Sequence, residues 1–388
     1  MLLSWIKAPH PYQGHTGYAS VMIHDLGIVT WGRDCSTLVL RVSAPVSDTM
    51  SAPAVAEQNG ERWTTRWGRR AASFSVSAAL LLVLLASTPL SLPLAVLSDA
   101  VRRSRWAATR FLAVALVYLG CELLGLTLGL VVWLPRALGG SRARFVERNF
   151  RLQCWWVCTL FEGARRALGV RVEVEGADAV TTGPIYLLVR HVSLADTLLP
   201  TRFVSAQVGL QLRFVLKREL LWDPCLDLVG QRLNNAFVRR GGLDTPADVA
   251  AVQALTEDLG PTEGVIVFPE GTRFSAERRR RTLERIEARG DHEGLARASA
   301  LQHVLPPRLG GVLGLLDARA DVDVVFCAHR GLSGARTFGD LLSGALVGRT
   351  LHIRFWRCPA REIPRDEAGR VAWLHDQWAR VDAFVGAA

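Results

Sequence analysis

His191 and Asp196 stand five positions apart behind the apolar run "IYLLV" at 185–189. An imidazole beside a carboxylate is equipment for moving a proton. With one ring nitrogen held by the carboxylate, the other accepts a proton, and the carboxylate stabilises the resulting imidazolium. The spacing alone decides little, because nine histidines and 19 aspartates in 388 residues give roughly half an H-x4-D match by chance. On a straight α-helix, residues five apart point about 140° away from each other. The two meet only if His191 sits in a turn before a helix begins, with Ser193 as a plausible N-cap. Such a strand–turn–helix corner lies at the carboxyl edge of a sheet, where α/β folds place their sites.

A second constellation follows in "VIVFPEGTRFS", residues 265–275. Pro269 ends an apolar strand, and Glu270, Gly271, Thr272 and Arg273 are expected to turn outward from it. Glycine admits close approach of a ligand to the backbone, and the arginine fork suits phosphate. The bland alternative is a strand-ending turn with solvated charges. Only two of the 46 basic residues are lysines, Lys7 and Lys217, so Lys217 stands out. The arginine-rich helix "AERRRRTLERIEARG" (276–290) is either a solvated face or a patch facing lipid headgroups, where each cation is worth about 1 kcal/mol. Seven scattered cysteines form no C-x2-C pair. Reduced thiols are therefore expected. Cys154 and Cys158, with Trp155 and Trp156, mark an interfacial helix rather than a metal site.

These residues need a frame. Strand patterns occupy 171–176, 185–189, 213–217, 235–240, 264–268, 322–329 and 350–356. Helix patterns lie between them, one starting at Thr245 with a proline at its first position, the last covering 366–385. Alternation of this kind predicts an α/β domain with a largely parallel central sheet flanked by helices.

Ahead of that domain the texture is different. Ala71–Ser98 carries no charge, and Phe111–Pro135 carries only Glu122. Each run exceeds the roughly 20 residues needed to cross a bilayer core. Pro89 and Pro93 are expected to kink the first run or make it re-entrant. Arginines flank both runs, with two groups outside and one between, which favours outer ends in the cytoplasm. A shallow hairpin that never fully crosses is the alternative. A mean hydropathy of +0.19 with a net charge of +10 suits a chain that meets anionic lipid, not a nucleic-acid binder. The expected organisation is 1–70 as a disordered or mis-annotated leader, with the true start at Met1 or Met50. A transmembrane or re-entrant helical hairpin follows at 71–135, then a domain over 136–388 ending in a helix.

The ordered pair of H-x4-D and F-P-E-G-T-R behind such a hairpin resembles the glycerolipid acyltransferases, the group containing 1-acylglycerol-3-phosphate acyltransferase. The block 217–242 is similar to that family's intervening motif at Lys217, Glu219, Leu220, Pro224, Gly230 and Arg240. Two departures stand out: Arg190 replaces the family's usual asparagine, and "VDVVFCAH" lacks the late prolines. The stretch 300–311 is similar to the lysophosphatidate and lysocardiolipin acyltransferase branch, where Arg308 would add a phosphate contact. The resemblance implies catalysis by His191 as general base, oriented by Asp196. Lys217, Arg240 and Arg273 would neutralise the acceptor phosphate, with Gly271 and Thr272 in the binding turn. Glu270 would bond the acceptor hydroxyl or brace Arg273. The implied reaction moves a fatty acyl group from acyl-CoA or acyl carrier protein, a co-substrate rather than a cofactor, to a lysophospholipid, with no metal and no nucleic acid. 1-Acylglycerol-3-phosphate is the expected acceptor and phosphatidic acid the product, on the cytoplasmic face of a membrane. Other lysolipids, including a lyso-ornithine lipid, and a catalytically silent scaffold are the alternatives.

Overall fold

The computed structural model describes residues 61–193, 195–238, 246–333 and 338–387. Seven strands form one sheet: β1 (Arg171–Glu175), β2 (Ile185–Val189), β3 (Gln211–Lys217), β4 (Ala236–Val238), β5 (Glu263–Val267), β6 (Asp323–Arg330) and β7 (Thr350–Cys358), in the order β1-β7-β6-β2-β5-β3-β4. Five of them, β6 to β4 in that order, run parallel. β7 pairs antiparallel with β6, and β1 follows β7 in parallel. The largely parallel sheet expected from the alternation is therefore present, with two reversed strands at one edge.

β2 sits in the middle and is buried throughout, as a strand covered on both faces must be. Ile185, Leu187 and Val189 pack with Phe161, Leu199 and Phe203 on one side. Tyr186 and Leu188 face the other way, into a core built from Val252, Leu315, Leu374 and Trp378. That second layer consists of α4 (Pro246–Ala254), α7 (Leu309–Ala318) and α8 (Glu367–Gly386). The period-two alternation of one strand thus divides the helices into two layers. The expected N-cap Thr245 lies outside the described residues.

The hairpin consists of α1 (Trp63–Arg102) and α2 (Ala107–Ala137), followed by α3 (Arg142–Leu168). Both α1 and α2 are long and apolar enough to cross a membrane. α1 runs continuously through Pro89 and Pro93. It also begins earlier than the expected boundary at 71, so 63–70 are helical rather than part of a leader. Ion pairs explain this: Arg69 contacts Glu61 at 3.0 Å and Asp227 at 2.6 Å, and Arg70 contacts Asp227 at 3.1 Å. Residues 1–60, with Met1 and Met50, lie outside the described residues. The turn closes on Asp99, whose carboxylate accepts the amides of Ala108 (3.0 Å) and Thr109 (2.9 Å) at the start of α2. Carboxylate acceptance there satisfies donors that a helix start leaves open.

α2 lies lengthwise against the domain. Glu122 accepts from Trp156 Nε1 and from the Cys225 amide, both at 3.0 Å. Arg110 donates to the Ala167 carbonyl at 2.6 Å, and Arg232 donates to the Gly129 carbonyl at 2.9 Å. Small residues permit the approach. A Cβ on Gly125 would meet Cys225 Sγ at 2.5 Å, and one on Gly129 would meet Leu228 Cδ2 at 2.7 Å. Trp156 and Val157 on α3 pack against Cys121 and Leu126 of α2, and Cys154 and Cys158 are buried.

Candidate active site

The H-x4-D corner, the F-P-E-G-T-R turn and Lys217 fall at one edge of the sheet. β2, β5, β3 and β6 are parallel, so their carboxyl ends share an edge. His191 follows β2, Glu270–Arg273 follows β5, and Lys217 ends β3. Arg240, beyond β4, lies outside the described residues.

His191 Nδ1 is 3.1 Å from Asp196 Oδ2, with the imidazole 18% exposed and the carboxylate fully buried. The chain does here what the spacing required. β2 ends, the backbone turns through 190–193, and Asp196 enters a single 3-10 turn at Ala195–Thr197. Asp196 Oδ2 also accepts the amides of Val192 and Ser193, the latter at 2.7 Å. Oδ1 accepts the Ser193 hydroxyl at 2.8 Å, whose own oxygen accepts the Ala195 amide at 2.9 Å. Ser193 is therefore a turn residue, as expected. Burial alone would raise the Asp196 carboxyl, but His329, His191 and the Ser193 amide outweigh it and hold it at about 2. Asp196 is thus a charged acceptor. His191 Nδ1 accordingly carries the hydrogen, and Nε2 is left for chemistry.

The PEG turn supports this corner from below. Glu270, expected to point outward, points inward and is 2% exposed. Its Oε1 accepts the His191 amide at 2.7 Å and its Oε2 accepts the Leu305 amide at 2.9 Å. It therefore braces the backbone of His191. The reason is topological: β5 neighbours β2, so the residue leaving β5 lies under the residue leaving β2. Burial pushes the Glu270 carboxyl up to about 8, against the two amides and the nearby Arg190. One step further on, the Phe274 amide donates to the His191 carbonyl at 2.8 Å, and Phe268 packs on the imidazole with ring centroids 4.8 Å apart. Both the position and the ring face of His191 are set by the second motif.

Gly271 has φ +64, and a Cβ there would meet Arg308 Nε at 2.5 Å. Positive φ and close contact both call for glycine. The Arg308 side chain is thereby laid across the turn, and its amide bonds the Pro269 carbonyl at 2.8 Å. Arg278, at the start of α5 (Ala276–Glu287), donates to the Arg273 carbonyl at 2.8 Å. Farther along α5, Arg280 and Arg281 pair with Glu277 on an exposed face. Thr272 sits half-buried in the turn, and Lys217 is exposed at the end of β3.

Three further residues support the site: Arg190, singled out in the sequence only as a departure from the family pattern, and two that sequence reasoning missed, Asp382 and His329. Arg190 is buried, and its guanidinium donates to the carbonyls of His329 (2.9 Å) and His303 (3.1 Å). Asp382 on α8 accepts the amides of Gln302, His303 and Val304 at 3.0, 2.6 and 3.0 Å. It clamps the segment whose next residue, Leu305, bonds Glu270. The third, His329, closes β6 and is fully buried. A histidine ending an apolar strand at the carboxyl edge was the one available signal.

Residues 171–304 match a family model described as Acyltransferase. The chain is 26% identical over 254 residues to the 1-acyl-sn-glycerol-3-phosphate acyltransferase epsilon of Mus musculus, covering 63% of this chain and 68% of that one. It is 28% identical over 174 residues to the lyso-ornithine lipid O-acyltransferase of Pseudomonas aeruginosa, covering 45% and 62%. A 1-acyl-sn-glycerol-3-phosphate acyltransferase of the same organism is 30% identical over 138 residues, covering 34% and 48%. The crystal structure of the 1-acyl-sn-glycerophosphate acyltransferase from Thermotoga maritima superposes with a TM-score of 0.42 at 16% identity, over 68% of this chain and 97% of that one.

Proposed function

We propose that this chain, whose residues 171–304 match the Acyltransferase family model, is a glycerolipid acyltransferase that acylates the free hydroxyl of 1-acylglycerol-3-phosphate at a membrane surface. The product is phosphatidic acid, and the donor is an acyl thioester of coenzyme A or of acyl carrier protein. The observation that carries the proposal is the 3.1 Å contact between His191 and a buried, charged Asp196, set on the same sheet edge as Lys217, Arg273 and Arg308. His191 Nε2 takes the proton of the acceptor hydroxyl as its oxygen attacks the thioester carbonyl. The carbon–sulfur bond breaks, and the departing thiolate recovers that proton from the imidazolium. Asp196 stabilises the imidazolium while it lasts.

Lys217, Arg273 and Arg308 neutralise the acceptor's phosphate, Arg240 being the further cation expected at this edge. A lyso-ornithine acceptor has no phosphate, so three cations placed at this sheet edge support the phosphorylated acceptor over it. α2 is bonded to the domain from Arg110 to Gly129. Crossing the bilayer would carry Arg232 and Asp223 into hydrocarbon. The hairpin therefore lies shallowly, with the exposed Trp63, Trp67 and Trp222 at the headgroup level.

The test is thiol release from an acyl-CoA and an acyl carrier protein thioester by the full chain in detergent, over a panel of lysolipids, with lipid products read by mass. Turnover greatest with 1-acylglycerol-3-phosphate and lost in His191→Ala is expected. Preference for an acceptor without phosphate would overturn the assignment, and silence across the panel would favour a scaffold.

A further inference from the structure

Asp196 has two oxygens, and the proposed mechanism uses only the one facing His191. On the other side stands a second histidine. His329 Nε2 is 3.6 Å from Asp196 Oδ1 and 3.0 Å from the Arg190 carbonyl. Both neighbours are acceptors, so Nε2 carries the hydrogen. His329 Nδ1 is buried without a hydrogen-bond partner among the described residues, so it carries none. The ring is therefore a neutral donor, which a fully buried site favours: burial pushes its pKa down despite the pull of Asp196. Arg190 and His329 are bonded in both directions, since the Arg190 guanidinium donates to the His329 carbonyl at 2.9 Å. They tie the residue before the base to the end of β6.

We propose that His329 is a positioning residue, a neutral second imidazole that bonds the Arg190 carbonyl while standing beside the far oxygen of Asp196, so that the turn keeps His191 and the carboxylate in the orientation catalysis needs. The inference rests on His191 acting as base. A charged donor would weaken the demand of Asp196 for the proton on His191. A neutral one fixes geometry and leaves the carboxylate's charge to the imidazolium formed in turnover. Arg190, also buried, is a cation near the charged Asp196.

The test compares His329→Gln with His329→Asn in the full chain, each assayed for thioester turnover beside the wild type. Glutamine carries an N–H at the reach of imidazole Nε2, whereas asparagine stops short. Expected is a kcat for H329N about 10-fold below wild type, the cost of one buried hydrogen bond to a backbone carbonyl. H329Q should stay within about threefold, and the acceptor KM should be unchanged in both. Equal kcat in the two variants, or a loss appearing in KM, would overturn the inference. Should H329N fail to fold, H329Q with an intact melting transition and a tenfold or greater fall in kcat would overturn it as well, and full H329Q activity would support it. A silent wild type would instead defeat the function proposed above, so the two failures are separable.

Discussion

Replacing Asp196 by asparagine separates charge from shape at the heart of the site. Oδ2 faces three N–H donors, from His191, Val192 and Ser193, so the amide oxygen takes that place. The amide nitrogen then falls at Oδ1, where the Ser193 hydroxyl rotates to accept from it and the His329 N–H keeps its bond to the Arg190 carbonyl. The turn survives, and His191 keeps a hydrogen-bond partner; what disappears is the negative charge opposite the transient imidazolium. At a charge separation of about 4 Å and an effective dielectric near 20, that charge is worth about 4 kcal/mol. Asp196→Asn should lower kcat about a thousandfold and leave the acceptor KM within about twofold. Steady-state thiol release at saturating donor, with the acceptor varied, measures both. A loss of under tenfold in a variant that still shows a cooperative melting transition would refute the electrostatic role of Asp196.

The same carboxylate should govern acid stability. Its folded pKa of about 2 lies below the ordinary 3.8, so the unfolded chain takes up the proton first as pH falls. About 2 kcal/mol is fully present above pH 3.8 and lost as pH falls toward 2. Acid unfolding of Asp196→Asn should lack that portion, and coincident acid limbs for variant and wild type would contradict it. Arg273→Ala should raise the acceptor KM about tenfold or more with little change in kcat, as expected when ground and transition states are held alike; acceptor titration reads this. Gly125→Val forces a Cβ to 2.5 Å from Cys225 Sγ and should destabilise the chain by about 1–3 kcal/mol, seen as a lower melting midpoint in detergent.

Much of the frame is legible in the sequence because its signals are local. Alternating apolar runs bounded by turns mark all seven strands within a few residues, and the H-x4-D corner follows from the angle between residues on a helix. The supports of the site are different in kind. Glu270 cannot be oriented from its own neighbourhood, since its two donors lie 79 and 35 positions away. His329 meets Arg190 across 139 positions, and Asp382 meets the 302–304 segment across about as many residues as separate the two motifs. These contacts exist only once β6, β2 and β5 lie side by side. The start of α1 was misplaced for the same reason, because Arg69 and Arg70 look solvated until Asp227 is brought to them.

The bonding of the hairpin to the segment after Lys217 makes the packing of the lipid surface an input to chemistry. Asp227 holds Arg69 and Arg70 of α1, while Cys225 holds Glu122 of α2, both within a dozen residues of the proposed acceptor cation. An anchor on a slack tether would swivel and absorb a change in the lipid layer around it. This one has no slack, so lateral pressure on a shallow hairpin is transmitted as a push on the strand end that bears Lys217. The acceptor KM in vesicles of graded headgroup packing should then vary, and a flat response would mean the hairpin yields before the strand does.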